Sequence, residues 1–244
     1  MIKGIITIFG IVLCFSSIYA QEKQKLNPIA KINIQVPEPS DIAHSADGKS
    51  LFVVSDNGYL FETDLNGVVL RKADYKGLDD EAVFVSESKV YVVEEFTRKI
   101  KIFSLPELVL EKTVKVPYYG GRNKGYEGLT YNKARDVFSL FVEKDPLYVF
   151  ELNEKLEKVY EVKLGKLARD ISAATYFDNH LWVLSDEDRT IFKLNPNDYS
   201  VIAKWEIPVL NAEGLSFGED GNLIVASDAL ERLYYFNNPE SNLE

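Results

Sequence analysis

The chain predicts an all-β fold, a β-propeller of five blades, on three observations. A repeating unit occurs five times, each copy carries a hairpin of β-branched and aromatic residues, and a spare strand near the N-terminus can complete the last unit. The first unit runs Pro39-Ser40-Asp41-Ile42-Ala43-His44, an Asp47-Gly48 turn, Leu51 to Asp56, and Tyr59-Leu60-Phe61. The second has Asp80-Glu81-Ala82-Val83-Phe84-Val85, Val90 to Glu95, and Ile100 to Phe103. The third has Gly125-Tyr126-Glu127-Gly128-Leu129-Thr130-Tyr131, Leu140 to Glu143, and Leu147 to Phe150. The fourth has Asp170-Ile171-Ser172-Ala173, Leu181 to Asp186, and Ile191 to Leu194; the fifth has Ala212-Glu213-Gly214-Leu215, Leu223 to Asp228, and Leu233 to Phe236.

Aligned on Asp41, Glu81, Glu127, Ser172 and Glu213, the units are spaced by 40, 46, 45 and 41 residues. A fourth, more polar run ends four of them: Val68–Leu70, Val109–Val116, Val159–Val162 and Ser200–Ile207. The fifth unit lacks it. The alternating Ile32-Asn33-Ile34-Gln35-Val36, led in by Ile29-Ala30, supplies the missing strand and closes the ring, which removes exposed sheet edges. Six blades would need a unit that has no visible repeat. A β-sandwich would leave the pattern shared by five units as coincidence.

The ends read differently. Residues 1–20 have a basic start at Lys3, an apolar run from Ile5 to Phe15 and a small residue, Ala20, for cleavage: a signal peptide. The run is too short for a comfortable transmembrane helix, and Leu13 before Cys14 fits a lipoprotein poorly. The expected plan is therefore a leader over 1–20, a linker over 21–28, a propeller over 29–238 and a tail over 239–244, in an exported protein, periplasmic or secreted and open to envelope association. No other stretch of the mature chain is apolar enough to span a membrane.

Removing the leader takes away the one methionine and the one cysteine and moves the formal charge from −10 to −11. Without disulfides, stability rests on the core. The acidic balance argues against nucleic acid and anionic lipid as partners and suits a divalent cation.

Acidic residues recur at two places in the unit. The first series is Asp41, Glu81, Glu127 and Glu213, with Ser172 in the fourth unit; the second is Asp56, Glu95, Glu143, Asp186 and Asp228. Within each unit the two lie 14 to 16 residues apart, the span of a hairpin, so both are expected at one mouth of the channel. Asp41, Glu81, Glu95, Glu127, Glu143, Asp186, Glu213 and Asp228 form the candidate metal set. Crowded hard oxygen donors without thiolates suit Ca²⁺. The competing reading is that such carboxylates cap backbone N–H groups or form turns.

Arg122, Lys124 and Arg189 could receive a small anionic ligand, and Arg98, Lys144 and Arg169 lie near the same strand ends; all could instead pair with the carboxylates. His44 and His180 read as strand or turn residues. If the site turns over a substrate, Glu127 and Glu213 are the candidate general bases. Phosphate loops, zinc-ligand spacings and nucleophile elbows are absent from the sequence.

Four segments in this order, Asn123-Lys124-Gly125-Tyr126-Glu127-Gly128-Leu129, Asp170-Ile171-Ser172-Ala173, Leu184-Ser185-Asp186-Glu187-Asp188-Arg189 and Ala212-Glu213-Gly214-Leu215, resemble the SdiA-regulated (YjiK/CarP-like) propellers. Asp79-Asp80-Glu81-Ala82 departs from the family's Asp-Leu-Glu segment, with Asp80 in place of an apolar residue. The resemblance implies an envelope-associated bacterial propeller linked to calcium, with a likeness to phytases and esterases. That leaves three functions open: a calcium-binding or homeostasis protein, a metal-dependent hydrolase of phosphate esters, lactones or other esters, and a scaffold that binds protein or glycan through its blade loops.

Overall fold

The computed structural model describes residues 24–120 and 124–241; the expected leader and Arg122 lie outside them. Two short strands come first, β1 (Gln24–Lys25) and β2 (Ala30–Asn33). Blade 1 is β3 (Pro39–His44), β4 (Ser50–Ser55), β5 (Tyr59–Asp64) and β6 (Val69–Lys72). Blade 2 is β7 (Asp80–Val85), β8 (Lys89–Glu94), β9 (Lys99–Ser104) and β10 (Leu110–Lys115). Blade 3 is β11 (Tyr126–Asn132), β12 (Val137–Val142), β13 (Tyr148–Leu152) and β14 (Lys158–Lys163). Blade 4 contains β15 (Ala173–Phe177), β16 (His180–Ser185), β17 (Thr190–Leu194) and β18 (Val201–Glu206). Blade 5 contains β19 (Ala212–Phe217), β20 (Leu223–Ser227) and β21 (Arg232–Phe236), and β2 completes it.

Five blades are therefore present, and the N-terminal strand closes the last. Ile32 pairs with Leu233, and Ala30 with Tyr235. Ile34 and Val36, expected in the same strand, leave the sheet and are buried between blades 5 and 1. The segment expected as a linker carries β1, which adds a fifth, parallel strand to blade 4. Trp205 donates its indole N–H to Gln24 Oε1 at 3.0 Å, and Leu26 is buried among blade 4 and blade 5 side chains. These two contacts are why the segment docks. At the other end, Glu240 of the expected tail pairs with Lys193 of blade 4.

Turn chemistry sets the hairpins. The Asp64 side chain accepts N–H groups of Asn66 and Val68, both at 2.9 Å, and Asn153 does the same for Lys155 and Glu157. Such Asx turns bond the side chain to backbone one turn ahead, which fixes where the strands reverse. Apolar side chains from facing blades then form five buried clusters, one for each blade interface. The inner strands β3, β7, β11, β15 and β19 touch in that order, and β19 touches β3. Midway along the channel each inner strand supplies one buried apolar residue, Ile42, Val83, Leu129, Ala174 and Leu215, so the ends of the channel are separate cavities. Among the described residues no helix is long and apolar enough to cross a membrane.

Candidate metal centre

The mouth is built by a β-bulge at the head of each inner strand. In blade 2 Asp80 faces Glu94 and Ala82 faces Val93, which leaves Glu81 as the extra residue. Glu127 lies between Tyr126 and Gly128 in the same way, Glu213 between Ala212 and Gly214, and Ser40 between Pro39 and Asp41. In blade 4 Ser172 donates its N–H to Leu184 O at 3.0 Å, while Ala173 is the residue that pairs with Leu184. A bulge re-aims the extra side chain out of the ladder; Glu81, Glu127, Ser172 and Glu213 thereby line the mouth, while Ser40 turns to the neighbouring blade. The ring is thus Ser40, Glu81, Glu127, Ser172 and Glu213: three carboxylates and two hydroxyls.

This corrects the placement of Asp41. It stands one residue past the bulge, where the other blades have Ala82, Gly128, Ala173 and Gly214, and it faces the neighbouring blades. Its carboxylate is buried and accepts Ile42 N–H at 2.8 Å and Val83 N–H at 2.9 Å; the Leu215 backbone also points at it. Burial raises its pKa and these N–H groups oppose the rise. Asp41 therefore staples blades 1, 2 and 5 and leaves the candidate ligand set. The same geometry explains Glu-Gly-Leu: a Cβ on Gly128 would come 2.9 Å from Ala174 Cβ, and one on Gly214 would come 3.0 Å from Ile42 Cγ1.

The second acidic series falls where the hairpin spacing places it. Each residue follows the end of a second strand. The N–H groups of Asp56, Glu95, Glu143 and Asp228 donate to carbonyls of Glu38, Asp79, Gly125 and Asn211. These acceptors, with Asp170, stand two residues before each bulge and form a third series; Glu38, Asp79 and Asn211 have φ of 47°, 66° and 48°. Asp79 and Asp170 were missed as site residues, and the available signal was the recurrence of Asp, Gly or Asn at this offset in four of the five units, with Glu38 in the first. A cavity of about 230 Å³ is lined by Asp56, Glu81, Glu127, Glu143, Asp186, Glu213 and Asp228, joined by Asp170, Glu187, Lys144, Ser172 and Ile171.

Donor atoms converge most closely on blades 2 and 3. Carboxylate oxygens of Asp79, Glu81 and Glu95 lie within 4.8 Å of one another, and so do those of Glu95, Glu127 and Glu143. Oxygens around a single Ca²⁺ at about 2.4 Å are at most about 4.8 Å apart, so each trio fits one ion. Asp186 and Glu213 belong to neither trio, and Asp186 Oδ1 is occupied by Ala212 N–H at 3.0 Å. Asp228 Oδ1 is buried without a hydrogen-bond partner. The closest convergence of carboxylate oxygens is thus on blades 2 and 3, while the cavity wall is richest in blade 4 residues, Asp170, Ile171, Ser172, Asp186 and Glu187.

Charge crowding follows from the packing. Burial, then the charges of Glu81, Glu95, Glu143 and Glu213, push the Glu127 carboxyl well above the usual range. Burial, then Asp56, Asp79, Glu213 and Glu95, does the same to Glu81. Burial and the Asp186, Asp56 and Asp228 charges raise Glu213 to about 8, and burial with the Asp79 contact raises Glu95 to about 7. Gly125 N–H, 2.6 Å from Glu95 Oε1, and Arg98, 3.7 Å from it, offset part of that rise.

The cations are arranged differently from expectation. Lys124 pairs with Asp145 at 3.2 Å, and neither it nor the exposed Arg189 lines the cavity. Lys144 does line it, 2.5 Å from Glu143 and 3.5 Å from Glu187. Arg169 is drawn away by Asp188 at 2.7 Å. Asp80 is wholly buried in a polar network: Tyr75 donates to Asp80 at 3.2 Å, and Lys101 bonds both Tyr75 and Glu94. That network accounts for an acid in place of the apolar residue. His44 and His180 lie outside the cavity, in strand positions.

Two solved structures place this architecture among known propellers. Glutaminyl cyclase from Myxococcus xanthus is similar with a TM-score of 0.72 and 12% identity, covering 88% of this chain and 98% of its own. The Cps50 (Swd1) β-propeller domain of Myceliophteria thermophila gives 0.54 and 11%, covering 85% and 99%. At such identities the likeness is one of fold. The family described as SdiA-regulated has a model that matches residues 17–237, nearly the whole ring with every bulge and acidic loop described above, and the chain belongs to that family.

Proposed function

We propose that this chain is an exported, calcium-associated propeller of the cell envelope that binds a divalent cation in its carboxylate mouth and acts in binding or homeostasis. One observation carries the reading. Glu127 is 9% exposed and lines the cavity, and its carboxylate, which opens onto that cavity, has no hydrogen bond or ion pair among the described residues. A buried carboxylate in that state costs several kcal/mol of solvation unless a positive charge faces it. Glu95, Glu127 and Glu143 would hold the ion, and Asp79, Glu81 and Glu95 form a second trio of the same reach. All are hard oxygen donors, and among the described lining residues there is no histidine or cysteine, which favours Ca²⁺ over Zn²⁺.

Lys144 supports a second reading, a metal-dependent hydrolase of phosphate esters, lactones or other esters. A lysine in the wall of an otherwise acidic cavity could receive the anionic part of a small substrate. Glu127 or Glu213, with raised pKa values, would then serve as general base. The bound ion would supply polarisation of the substrate oxygen.

A thermal-shift series with Ca²⁺, Mg²⁺, Mn²⁺ and chelator, run beside a phosphate-ester and lactone panel, separates these. Calcium-dependent stabilisation without turnover supports the first reading. Metal-dependent hydrolysis lost in Glu127→Gln supports the second. A melting temperature indifferent to metal and chelator overturns both and leaves a scaffold that binds protein or glycan.

A further inference from the structure

The channel end opposite the carboxylates has contrary chemistry. It opens as a cavity of about 550 Å³, within the roughly 300–1,000 Å³ that holds small organic ligands, and shares no lining residue with the acidic mouth. Its floor is the buried apolar layer at mid-channel. Its walls are aromatic: Phe84 and Tyr91 from blade 2, Tyr131 and Phe138 from blade 3, Tyr176 from blade 4 and Phe217 from blade 5.

The blade 2 and blade 3 rings are held by one another, and Phe217 is held by a ring behind it. Phe138 meets Phe84 edge-on at 5.8 Å and 85°, meets Tyr131 at 5.1 Å and 71°, and lies 5.2 Å from Tyr91. Phe217 stacks on Phe177 at 4.4 Å and 5°. A wall of interlocked rings is formed before any ligand arrives, so a planar guest can meet ring faces and edges with little reordering.

The polar groups at this end are largely quenched. Ser216 Oγ accepts His44 N–H at 3.1 Å and lies 2.8 Å from His44 Nδ1. The two side chains therefore satisfy each other within this wall, whichever of them carries the shared proton. Burial lowers the pKa of His44, which favours its uncharged form, and the Asp220 charge opposes that shift. Apart from tyrosines, the remaining ionisable residues of the lining are Glu87 and Lys133, both exposed and of opposite sign. Among the described lining residues, no buried carboxylate, lysine or arginine would compensate a net charge on the guest.

We propose that this cavity binds an uncharged, planar aromatic molecule, stacked within the aromatic walls and seated on the apolar layer. The site is independent of the cation site, because the apolar layer separates them.

Calorimetric titration of the whole protein with three shape-matched probes, 2-naphthol, 2-naphthoate and 2-naphthylmethylamine, tests this. The expected result is saturable one-to-one binding of 2-naphthol, at least about tenfold tighter than the anion or the cation. It is unchanged by calcium or chelator, and weakened at least about tenfold by both Ala43→Phe, which fills the cavity, and Tyr176→Ala, which removes a wall. Circular dichroism melts confirm that each variant is folded. Absence of saturable 2-naphthol binding overturns the proposal, and so does equal binding of the charged probes. Binding that needs calcium, or that survives both variants, places the probe elsewhere and equally overturns it.

Discussion

Ser40 on blade 1 donates its hydroxyl hydrogen to the backbone carbonyl of Asp80 on blade 2, one residue before Glu81. Ser172 repeats the relationship across the next-but-one interface, donating to Ala212 O at 2.7 Å, one residue before Glu213. Where the bulge carries a serine, the side chain ties the ring together; where it carries a glutamate, it faces the mouth. Ser40→Ala leaves a buried carbonyl without its partner and is expected to cost about 1–3 kcal/mol. The change in melting temperature produced by calcium should be unaltered. A loss of calcium response in Ser40→Ala would mean that the hydroxyl is itself a ligand.

Gly128 and Gly214 are set by contact distance between blades. Gly128→Val should place new atoms against Ala174 and destabilise by about 1–3 kcal/mol or more, as overpacking does. Denaturant midpoints with an unchanged m-value check it. Full stability of this variant would show that the inner strands can separate without cost.

The raised carboxyls give a definite pH dependence. Glu95 and Glu213 have folded-state values of about 7 and about 8, against an ordinary 4.5. The fold favours their protonated forms, so their contribution is fully present below 4.5 and is lost as pH rises through 7 and 8. In chelator, the melting temperature should fall steadily across that window, and saturating calcium should flatten the fall. Melts at stepped pH values decide it: a metal-free protein that gains stability from pH 5 to 8 contradicts the account.

Lys101 and Glu94 form a buried pair, with side chains 10% and 3% exposed. Lys101→Met strands Glu94 and should cost about 3–5 kcal/mol. Adding Glu94→Gln should recover most of that loss, since the uncompensated charge is then gone. A single variant as stable as the parent would show that Glu94 is protonated or solvated without its lysine.

Much of this molecule was legible from its residues, and the errors have physical causes. The five units and the ring closure were visible because the same strand runs recur and several hairpins carry turn formers between them. The off-by-one at Asp41 arose because Ser40-Asp41-Ile42 carries its acid one place later than Glu127-Gly128-Leu129. Only the bulge register shows that Asp41 fills the glycine's place. Nothing in Ile100-Lys101-Ile102 signals that its lysine is covered, yet β9 lies between neighbours on both faces and Lys101 is 8% exposed. The weighting of the mouth toward blades 2 and 3 depends on Asp79, whose left-handed φ of 66° lies outside any strand pattern. β1 was hidden because a two-residue strand has no periodicity to detect.

The central claim is that one cation is held by carboxylates of blades 2 and 3. Calorimetric titration of the chelator-stripped protein with Ca²⁺, repeated on Glu127→Gln and Glu213→Gln, tests it most directly. The account predicts saturable binding in the parent, a loss of about 10- to 100-fold or more in Glu127→Gln, and a change within about threefold in Glu213→Gln. No calcium heat in the parent, or an equal loss in Glu213→Gln, would contradict it.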